Sequence, residues 1–516
     1  MSYRSYFFCL SHATHSDNGY HMNASLTPPS FNPAQARLLQ ATVDFTRLLQ
    51  PWDGFGLNYV ETCQTRDYTK EPQDYGGFST MTTADRQRVI DLGFGPDGLR
   101  PGVIKMFLDP YHQPVEPPAE HLDDLQIDLA DYDHQTTTRW MRMFVRDGLA
   151  TLREQGLDAE VIVTMYGPPA WMTRQKFVRG RDLDPTYRIA MAKYIVAWAK
   201  QLREEEDIPV TAVSLHNEGE DWIRWPLDGS TADKPGHDYN MYWPASQVVD
   251  YVKLVRAVLD ANGMDDVRVS PGETSNWLRF AQWGYAGELA ADPDAVAALG
   301  LITSHGFHAG CWKEPGIAGH WAADWRSAGI DALRAQKPGL HSWVTSTSWS
   351  KMNAGFVWEL MHNIYSSKNN AIIPWACIQR PSLWKEGDPN PGTAFRISDK
   401  GALTVEPGYY FYKQACIAGR PGMRICAAHA NDTCCGVIGF ARGDSPHPNA
   451  IVLINAGDTD SSLTLNVRGA DTTWHATRTS PDEQCADLGT CRLENGALAC
   501  LAPAGSVTTL VEQGTA

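Results

Sequence analysis

Between about residue 50 and residue 375, short apolar runs alternate with longer segments that carry apolar residues at helical spacing. The segments 138–155 and 185–205 are two such amphipathic stretches, and each leads into an apolar run. This alternation is typical of a parallel α/β architecture. We predict eight strands, at 54–59, 102–107, 160–164, 211–215, 266–270, 300–304, 342–345 and 371–375.

Eight strands, each followed by a helix or a long loop, predict a closed (β/α)₈ barrel of the α/β class over residues 49–414. The competing open, doubly wound sheet would carry a glycine-rich phosphate turn after its first strand. Gly54-Phe55-Gly56 opens the first strand, but the rest of that pattern is missing. The barrel is therefore the preferred interpretation.

Beyond about residue 422 the pattern changes to short alternating runs separated by Gly, Asp and Asn. Such spacing predicts an accessory β-sandwich over residues 415–516. Residues 1–48 form an N-terminal extension whose place, free or within the sandwich, the sequence leaves open. Residues 34–49 fit a strand or a helix equally well. The sandwich runs are at 433–440, 450–455, 463–467, 474–477 and 507–511.

The charge balance bears on the kind of partner. A net charge of −16 argues against a nucleic acid, because phosphates need a basic surface. The absence of a long apolar run argues against a membrane span. The 18 tryptophans favour a carbohydrate partner, since indole rings stack on sugar faces, although Trp also fills cores. The sequence does not indicate an oligomeric state.

Compartment and metal content are less well defined. The N-terminus is too polar after Phe7-Phe8-Cys9-Leu10 for a convincing signal peptide, so the protein is either cytoplasmic or secreted after loss of a signal. Eleven cysteines are an odd number, and their spacing matches no zinc template. A disulfide or two near the C-terminus and free thiols are equally compatible with the sequence. We expect neither a metal nor a cofactor.

The chemistry is expected where the predicted strand 211–215 stops abruptly in polar residues. Asn217 and Glu218 follow it directly. In a (β/α)₈ barrel the active site lies at the C-terminal ends of the strands. The alternative is that both residues merely open the next helix, where Asn and acidic side chains are common.

Other candidates follow other strands or neighbour Glu218. For the polar candidates the alternative roles are helix caps and ion pairs, and the two histidines also give a weak zinc signal. For the aromatic candidates the alternative is ordinary core packing. Lys105 ends the second strand, where it would hold a carboxylate or form a structural ion pair. The candidate substrate-binding residues are Asn58, Glu61, Trp171, Glu220, Glu273, His305, His308, Trp312 and Trp375.

Four motifs occur in a consistent order on these elements. They are Gly-Pro-Pro-Ala-Trp-Met at 167–172, Asn-Glu-Gly-Glu at 217–220, Tyr-Tyr through Arg-Pro-Gly at 409–422, and Ala-Pro-Ala-Gly-Ser-Val-Thr-Thr-Leu at 502–510. With them the chain resembles the retaining β-glycosidases of glycoside hydrolase clan A, and most closely glycoside hydrolase family 30. The resemblance covers about residues 50–512.

This resemblance implies a reaction and two roles. The reaction is cleavage of β-glycosidic bonds in oligo- or polysaccharides without a cofactor. Glu218 corresponds to the general acid/base at the end of strand 4, and Asn217 to the residue that binds the substrate 2-hydroxyl. A histidine at the end of strand 6, here His305, often contacts one of the two catalytic carboxyls in this clan.

The second carboxyl is where the chain departs from the pattern. The resembling motif at the end of strand 7 is Trp-x-Thr-Glu, but here it reads Trp343-Val344-Thr345-Ser346. A serine carries no charge and needs a base before it can attack. Three explanations remain open: engineered replacement of a native Glu, which is the working interpretation; an inverting enzyme with Glu273 or Glu220 as base; or a barrel that binds sugars without catalysis.

Overall fold

The structure, a computed structural model, describes residues 37–62, 73–225, 238–308, 326–347, 351–384, 390 and 392–514. Within them, eight parallel strands form one sheet, which confirms the predicted α/β class and (β/α)₈ barrel. These strands are short and almost entirely buried, as expected when helices cover one face and side chains fill the other. In chain order they are Gly54–Asn58, Val103–Leu108, Glu160–Met165, Val210–Ser214, Arg268–Ser270, Leu301–Ser304, His341–Thr347 and Ala371–Pro374.

The barrel closes between its fifth and sixth strands. The first strand pairs with both the second and the eighth, so the sheet is continuous where the first and last strands meet. Parallel bridges then join Val269 to Leu299 and Thr274 to Ser304. Closure brings the C-terminal ends of all eight strands to one rim, where the predicted polar residues converge.

Helices follow the barrel strands as predicted. The first begins after Thr82, whose hydroxyl caps it by accepting a hydrogen bond from the backbone N–H of Asp85. In the described residues, no helix is both long and apolar enough to cross a membrane. The α-helices are Thr83–Phe94, Arg139–Arg153, Arg188–Glu205, Ala245–Ala261, Trp277–Gln282, Tyr285–Ala291, Pro293–Ala298, Ala328–Arg334, Ala354–Tyr365 and Pro407–Ala418.

A nine-stranded, mostly antiparallel sheet forms the accessory domain. Arg37–Pro51 is a strand of this sheet, so the described part of the N-terminal segment belongs to it. The rings of Phe45 and Trp474 stack at 5.9 Å although four strands separate theirs in the sheet, so the sheet folds over a shared apolar core. The other strands are Arg424–Ala430, Cys435–Ala441, Ala450–Asn455, Ser461–Arg468, Thr473–Ser480, Glu483–Arg492, Ala497–Ala502 and Ser506–Glu512.

The helix Pro407–Ala418 joins the barrel to the accessory domain. The hydroxyl of Tyr412 donates to the backbone oxygen of Gly56 in the first barrel strand at 2.7 Å. On the other side, the amide of Gln414 donates to the hydroxyl of Thr479 at 3.1 Å. The helix is therefore held by polar contacts to both parts of the molecule.

The remaining elements are few. A small three-stranded sheet, Ile378–Gln379, Phe395–Ile397 and Leu403–Val405, follows the barrel. The eight cysteines of the described residues are free thiols, which answers the disulfide question for that part of the chain.

Candidate active site

Glu218 lies just past the fourth barrel strand in a constrained turn. Its φ of 45° is left-handed, a conformation that costs an L residue on the order of 1–3 kcal/mol and that often marks functional sites. Its backbone N–H donates to the backbone oxygen of Glu273 at 2.7 Å, and that of Glu273 donates to the oxygen of His216 at 2.8 Å. The segments after the fourth and fifth strands are thus fixed to each other.

An imidazole and a guanidinium hold the Glu218 carboxylate. His305 Nδ1 lies 2.9 Å from Oε1, and Arg224 Nη2 donates to Oε2. The side chain of Glu218 remains 12% exposed, whereas Asn217, Glu220, Glu273 and His305 are almost fully buried. Of the two carboxylates that contact His305, Glu218 is therefore the one that reaches solvent.

Glu273 is a fully buried carboxylate. The hydroxyl of Thr164 donates to its Oε1 at 2.6 Å, and Oε2 accepts from Lys105 and lies 3.1 Å from His305 Nε2. Burial alone would favour the neutral form. Lys105 and His305 outweigh it and lower the pKa of Glu273 to about 2. Glu273 is consequently ionised at any ordinary pH.

His305 connects the two carboxylates. It follows the sixth strand, and its ring places one nitrogen on Glu218 and the other on Glu273. Burial works against a charged imidazole, but the hydrogen bonds to both carboxylates raise the pKa of His305. The ring therefore fixes the spacing between Glu218 and Glu273, and its two hydrogen bonds favour the protonated form.

Ser346, in the seventh strand, is buried beside the same lysine. Its hydroxyl accepts from Lys105 Nζ at 3.1 Å, so one ammonium contacts both Ser346 and Glu273. Burial lowers the pKa of Lys105, and Glu273 opposes that effect. Position 346 thus lies next to a cation that faces the interior of the site but provides no negative charge itself.

Asn217 and Glu220 flank Glu218 and differ in their contacts. The Asn217 amide nitrogen faces Asn240 Oδ1 at 3.3 Å, while its Oδ1 is buried and has no hydrogen-bond partner among the described residues. Glu220 Oε1 accepts from the N–H and hydroxyl of Ser275, each at 2.7 Å, and from Arg279 at 3.1 Å. Asn217 thus keeps an acceptor for a ligand, whereas Glu220 stabilises the loop after the fifth strand.

Glu61 has the contacts of a helix cap. Its Oε2 accepts from the backbone N–H groups of Trp140 at 2.7 Å and Met141 at 2.9 Å, at the start of the helix Arg139–Arg153. Burial raises the pKa of Glu61 to about 8. These contacts assign it a part in positioning this helix, and its predicted contact with substrate stays a prediction.

Asn58 is the last residue of the first barrel strand, and His308 lies beyond the end of the sixth. Asn58 Oδ1 accepts from the N–H of Cys377 at 3.4 Å, and its buried Nδ2 has no hydrogen-bond partner within the described part of the chain. His308 is half-buried on the segment after the sixth strand. Asn58 therefore has a donor available at the rim.

The aromatic candidates are mainly packed against protein. Trp171 donates its indole N–H to the backbone oxygen of Gln113 at 2.8 Å and is partly exposed. Trp375 is 7% exposed, with its ring centroid 6.1 Å from that of Phe107. Trp312 lies outside the described residues. Of the two described rings, Trp171 has more surface available to a sugar.

Two site residues were not predicted from the sequence. Arg224 lies on a short 3-10 turn, Trp222–Arg224, six positions after Glu218, and nothing in the pattern there distinguishes it from a solvent-exposed arginine. Thr164 is a buried position of the third strand, where the alternation predicts core packing. Its place near the C-terminal end of a barrel strand was the feature of the sequence that could have indicated its contact with Glu273.

The fold is that of glycoside hydrolases of family 30. An endoxylanase of that family from Clostridium papyrosolvens is 16% identical to this chain, with a TM-score of 0.61, over 92% of this chain and 100% of its own. An endo-β-1,6-glucanase is 16% identical, with a TM-score of 0.62, over 92% and 94%. SrfJ from Salmonella typhimurium is 14% identical, with a TM-score of 0.65, over 92% and 93%.

These likenesses are structural. No protein-family model matches the chain, and no curated protein sequence does. The fold implied by the resemblance, a (β/α)₈ barrel with an accessory β domain, is confirmed.

Proposed function

We propose that the protein is a glycoside hydrolase that cleaves β-glycosidic bonds in oligo- or polysaccharides, with Glu218 as the general acid. The observation that carries this is the Glu218 carboxyl itself, partly exposed at the C-terminal rim of the barrel and held by His305 and Arg224. The fold supports the proposal, because structures with this fold include an endoxylanase and an endo-β-1,6-glucanase.

The proposed reaction assigns separate tasks to neighbouring side chains. Glu218 gives its proton to the bridging oxygen as the bond to the anomeric carbon breaks. Asn217 Oδ1, which lacks a partner in the described residues, accepts a hydrogen bond from the sugar 2-hydroxyl. That hydrogen bond strengthens as the ring approaches an oxocarbenium ion, so Asn217 favours the transition state over the bound substrate.

The second carboxyl of the reaction belongs, in this proposal, at position 346. The contact between Lys105 Nζ and Ser346 Oγ supports this, because a carboxylate there would face the same ammonium. Serine cannot stabilise the developing positive charge as a carboxylate would. Hydrolysis by this chain is therefore expected to be limited by the missing nucleophile.

An alternative uses Glu273 as the second carboxylate of an inverting enzyme. Glu218 and Glu273 contact opposite nitrogens of His305, so the width of an imidazole separates them. Inverting enzymes place their carboxyls roughly 6.5–9.5 Å apart, to leave room for a water. The low pKa of Glu273 suits an ionised partner, but its complete burial does not suit direct contact with that water.

Addition of a small external nucleophile tests the role of position 346. Sodium azide should accelerate hydrolysis of 2,4-dinitrophenyl β-glycosides by the unaltered protein at least tenfold. Azide attacks the anomeric carbon as the phenolate leaves, and NMR should identify an α-glycosyl azide. The Ser346→Glu variant should be at least a hundredfold faster without azide and should no longer respond to it, because its own carboxylate makes the attack.

Ser346→Ala is the matched control, since it also lacks a carboxylate and should keep the azide response without a gain in rate. If azide has no effect and Ser346→Glu gains nothing, the assignment of position 346 is wrong. Loss of the remaining activity in Glu273→Gln would then favour the inverting alternative. Sugar binding without turnover in every variant would indicate a binding protein.

Arg224 is expected to control the upper pH limit of catalysis. Its guanidinium contact stabilises the ionised form of Glu218, and a general acid must be protonated. In Arg224→Gln the proton should be retained to higher pH, so the basic limb of the kcat profile should move upward by at least half a pH unit. Arg188→Gln, which removes an exposed pair with Asp250, should leave the profile unchanged.

A further inference from the structure

A cavity of about 430 Å³ lies between the barrel and the accessory domain. One wall is the loop at residues 96–100, which leads into the second barrel strand. Other walls come from the end of the helix Pro407–Ala418 and from the turn at residues 447–450. Because the loop precedes a strand, the cavity is at the N-terminal end of the barrel, opposite the rim that carries Glu218.

Positively charged side chains dominate this cavity. Arg100, Lys413 and Arg420 line it together with His447, and Asp97 is the acidic residue among them. In the described part of the chain, no carboxylate lies within ion-pair distance of the two arginines or the lysine.

The arginines also have hydrogen-bonding capacity to spare. Arg100 Nε is buried and has no hydrogen-bond partner among the described residues. Arg420 Nη1 donates to the backbone oxygen of Leu99 at 2.9 Å, a neutral acceptor. Both guanidinium groups thus line the cavity without a carboxylate partner among the described residues.

These cations repel one another. Burial and then the charge of Arg100 lower the pKa of Arg420 to about 10. Burial, followed by both arginines, also lowers the pKa of His447. Asp97 acts on Arg100 from the same cavity, but among the described residues no carboxylate forms an ion pair with the largely buried Arg420. Buried charge without a partner is unfavourable unless an anion binds.

We propose that this cavity binds a small oxyanion of the phosphate class, as free phosphate or as a phosphate ester. Guanidinium groups offer paired N–H donors that match phosphate oxygens. The three positive charges of Arg100, Arg420 and Lys413 are balanced better by a dianion than by a ligand with a single carboxylate. The cavity also has room for an organic group attached to the phosphate. A bound anion would connect the barrel loop to the accessory domain and stabilise their contact.

Calorimetric titration and thermal unfolding of the whole protein test this site. Inorganic phosphate and glucose 6-phosphate should bind and raise the unfolding midpoint at constant ionic strength. Tighter binding of the ester would identify the class as phosphate esters, and equal affinity would identify free phosphate. Arg100→Gln should weaken binding of either ligand at least tenfold, and Lys413→Gln should weaken it severalfold.

Arg88→Gln supplies the matched control, because it makes the same change of charge at an exposed position on the helix Thr83–Phe94. Its affinity should stay within twofold of the unaltered protein. The proposal is overturned if neither ligand binds at about 10 mM, if Arg100→Gln binds as tightly as the unaltered protein, or if acetate binds as well as phosphate.

Discussion

Replacement of Glu218 by glutamine should lower kcat for a β-linked oligosaccharide by about 10²–10⁴-fold, the usual contribution of a general acid. Glutamine is close to isosteric with glutamate, but its amide N–H groups are not acidic enough to protonate the leaving oxygen. The measurement is best made in the Ser346→Glu background, where turnover should be faster. The leaving group of a 2,4-dinitrophenyl glycoside needs little protonation. The rate at which Glu218→Gln cleaves the glycosidic bond of that substrate should therefore fall much less.

Glu288→Gln is the control, because it makes the same substitution at an exposed helical position. The rates on both substrates should be unaffected by this substitution. An equal loss on the oligosaccharide and on the activated glycoside in Glu218→Gln would contradict the role of proton donor and would indicate a purely structural contribution.

The Lys105→Met variant should suffer the largest loss of stability. Lys105 and Glu273 are both fully buried, and removal of the ammonium leaves the buried carboxylate to the hydrogen bonds from Thr164 and His305. Breaking such a pair typically costs about 3–5 kcal/mol. The urea midpoint of barrel unfolding should fall accordingly, and activity should fall with it, because Lys105 also contacts position 346 in the site.

Two further variants make this prediction specific. Lys193→Met removes a lysine that is 3% exposed but whose partner Asp124 is 54% exposed, so water can solvate the carboxylate left behind and the loss should be smaller. Lys105→Met combined with Glu273→Gln should recover most of the lost stability. A combined variant as unstable as Lys105→Met alone would show that charge is not the cause.

The barrel could be predicted because its strands are short, apolar and separated by amphipathic helices. All eight were predicted, and every predicted end lies within two residues of the observed one, as hydrogen bonding rather than hydrophobicity determines where a strand stops. In the accessory domain, Glu483–Arg492 was not predicted, since it is an edge strand of half-buried and exposed residues with no apolar run. Arg424–Ala430 was missed because alanine has little preference for strands.

The site was predictable where chemistry coincides with a strand end. Glu218, His305 and Ser346 each follow or end a strand, and the closed sheet brings them together around Glu273 and Lys105. Which of these groups pair could not be predicted, because pairing depends on side-chain reach across the barrel. The contacts of Glu61 illustrate this, since the helix it caps begins far along the chain.

The strand Arg37–Pro51 has a consequence for how the polypeptide is made. It lies inside the accessory sheet, parallel to Ser461–Arg468 and antiparallel to Arg424–Ala430. During synthesis this early segment must wait until the whole barrel and then its late neighbours have left the ribosome. The two domains are therefore interleaved along the gene, and no single cut in the chain yields a complete barrel on one side and a complete sheet on the other.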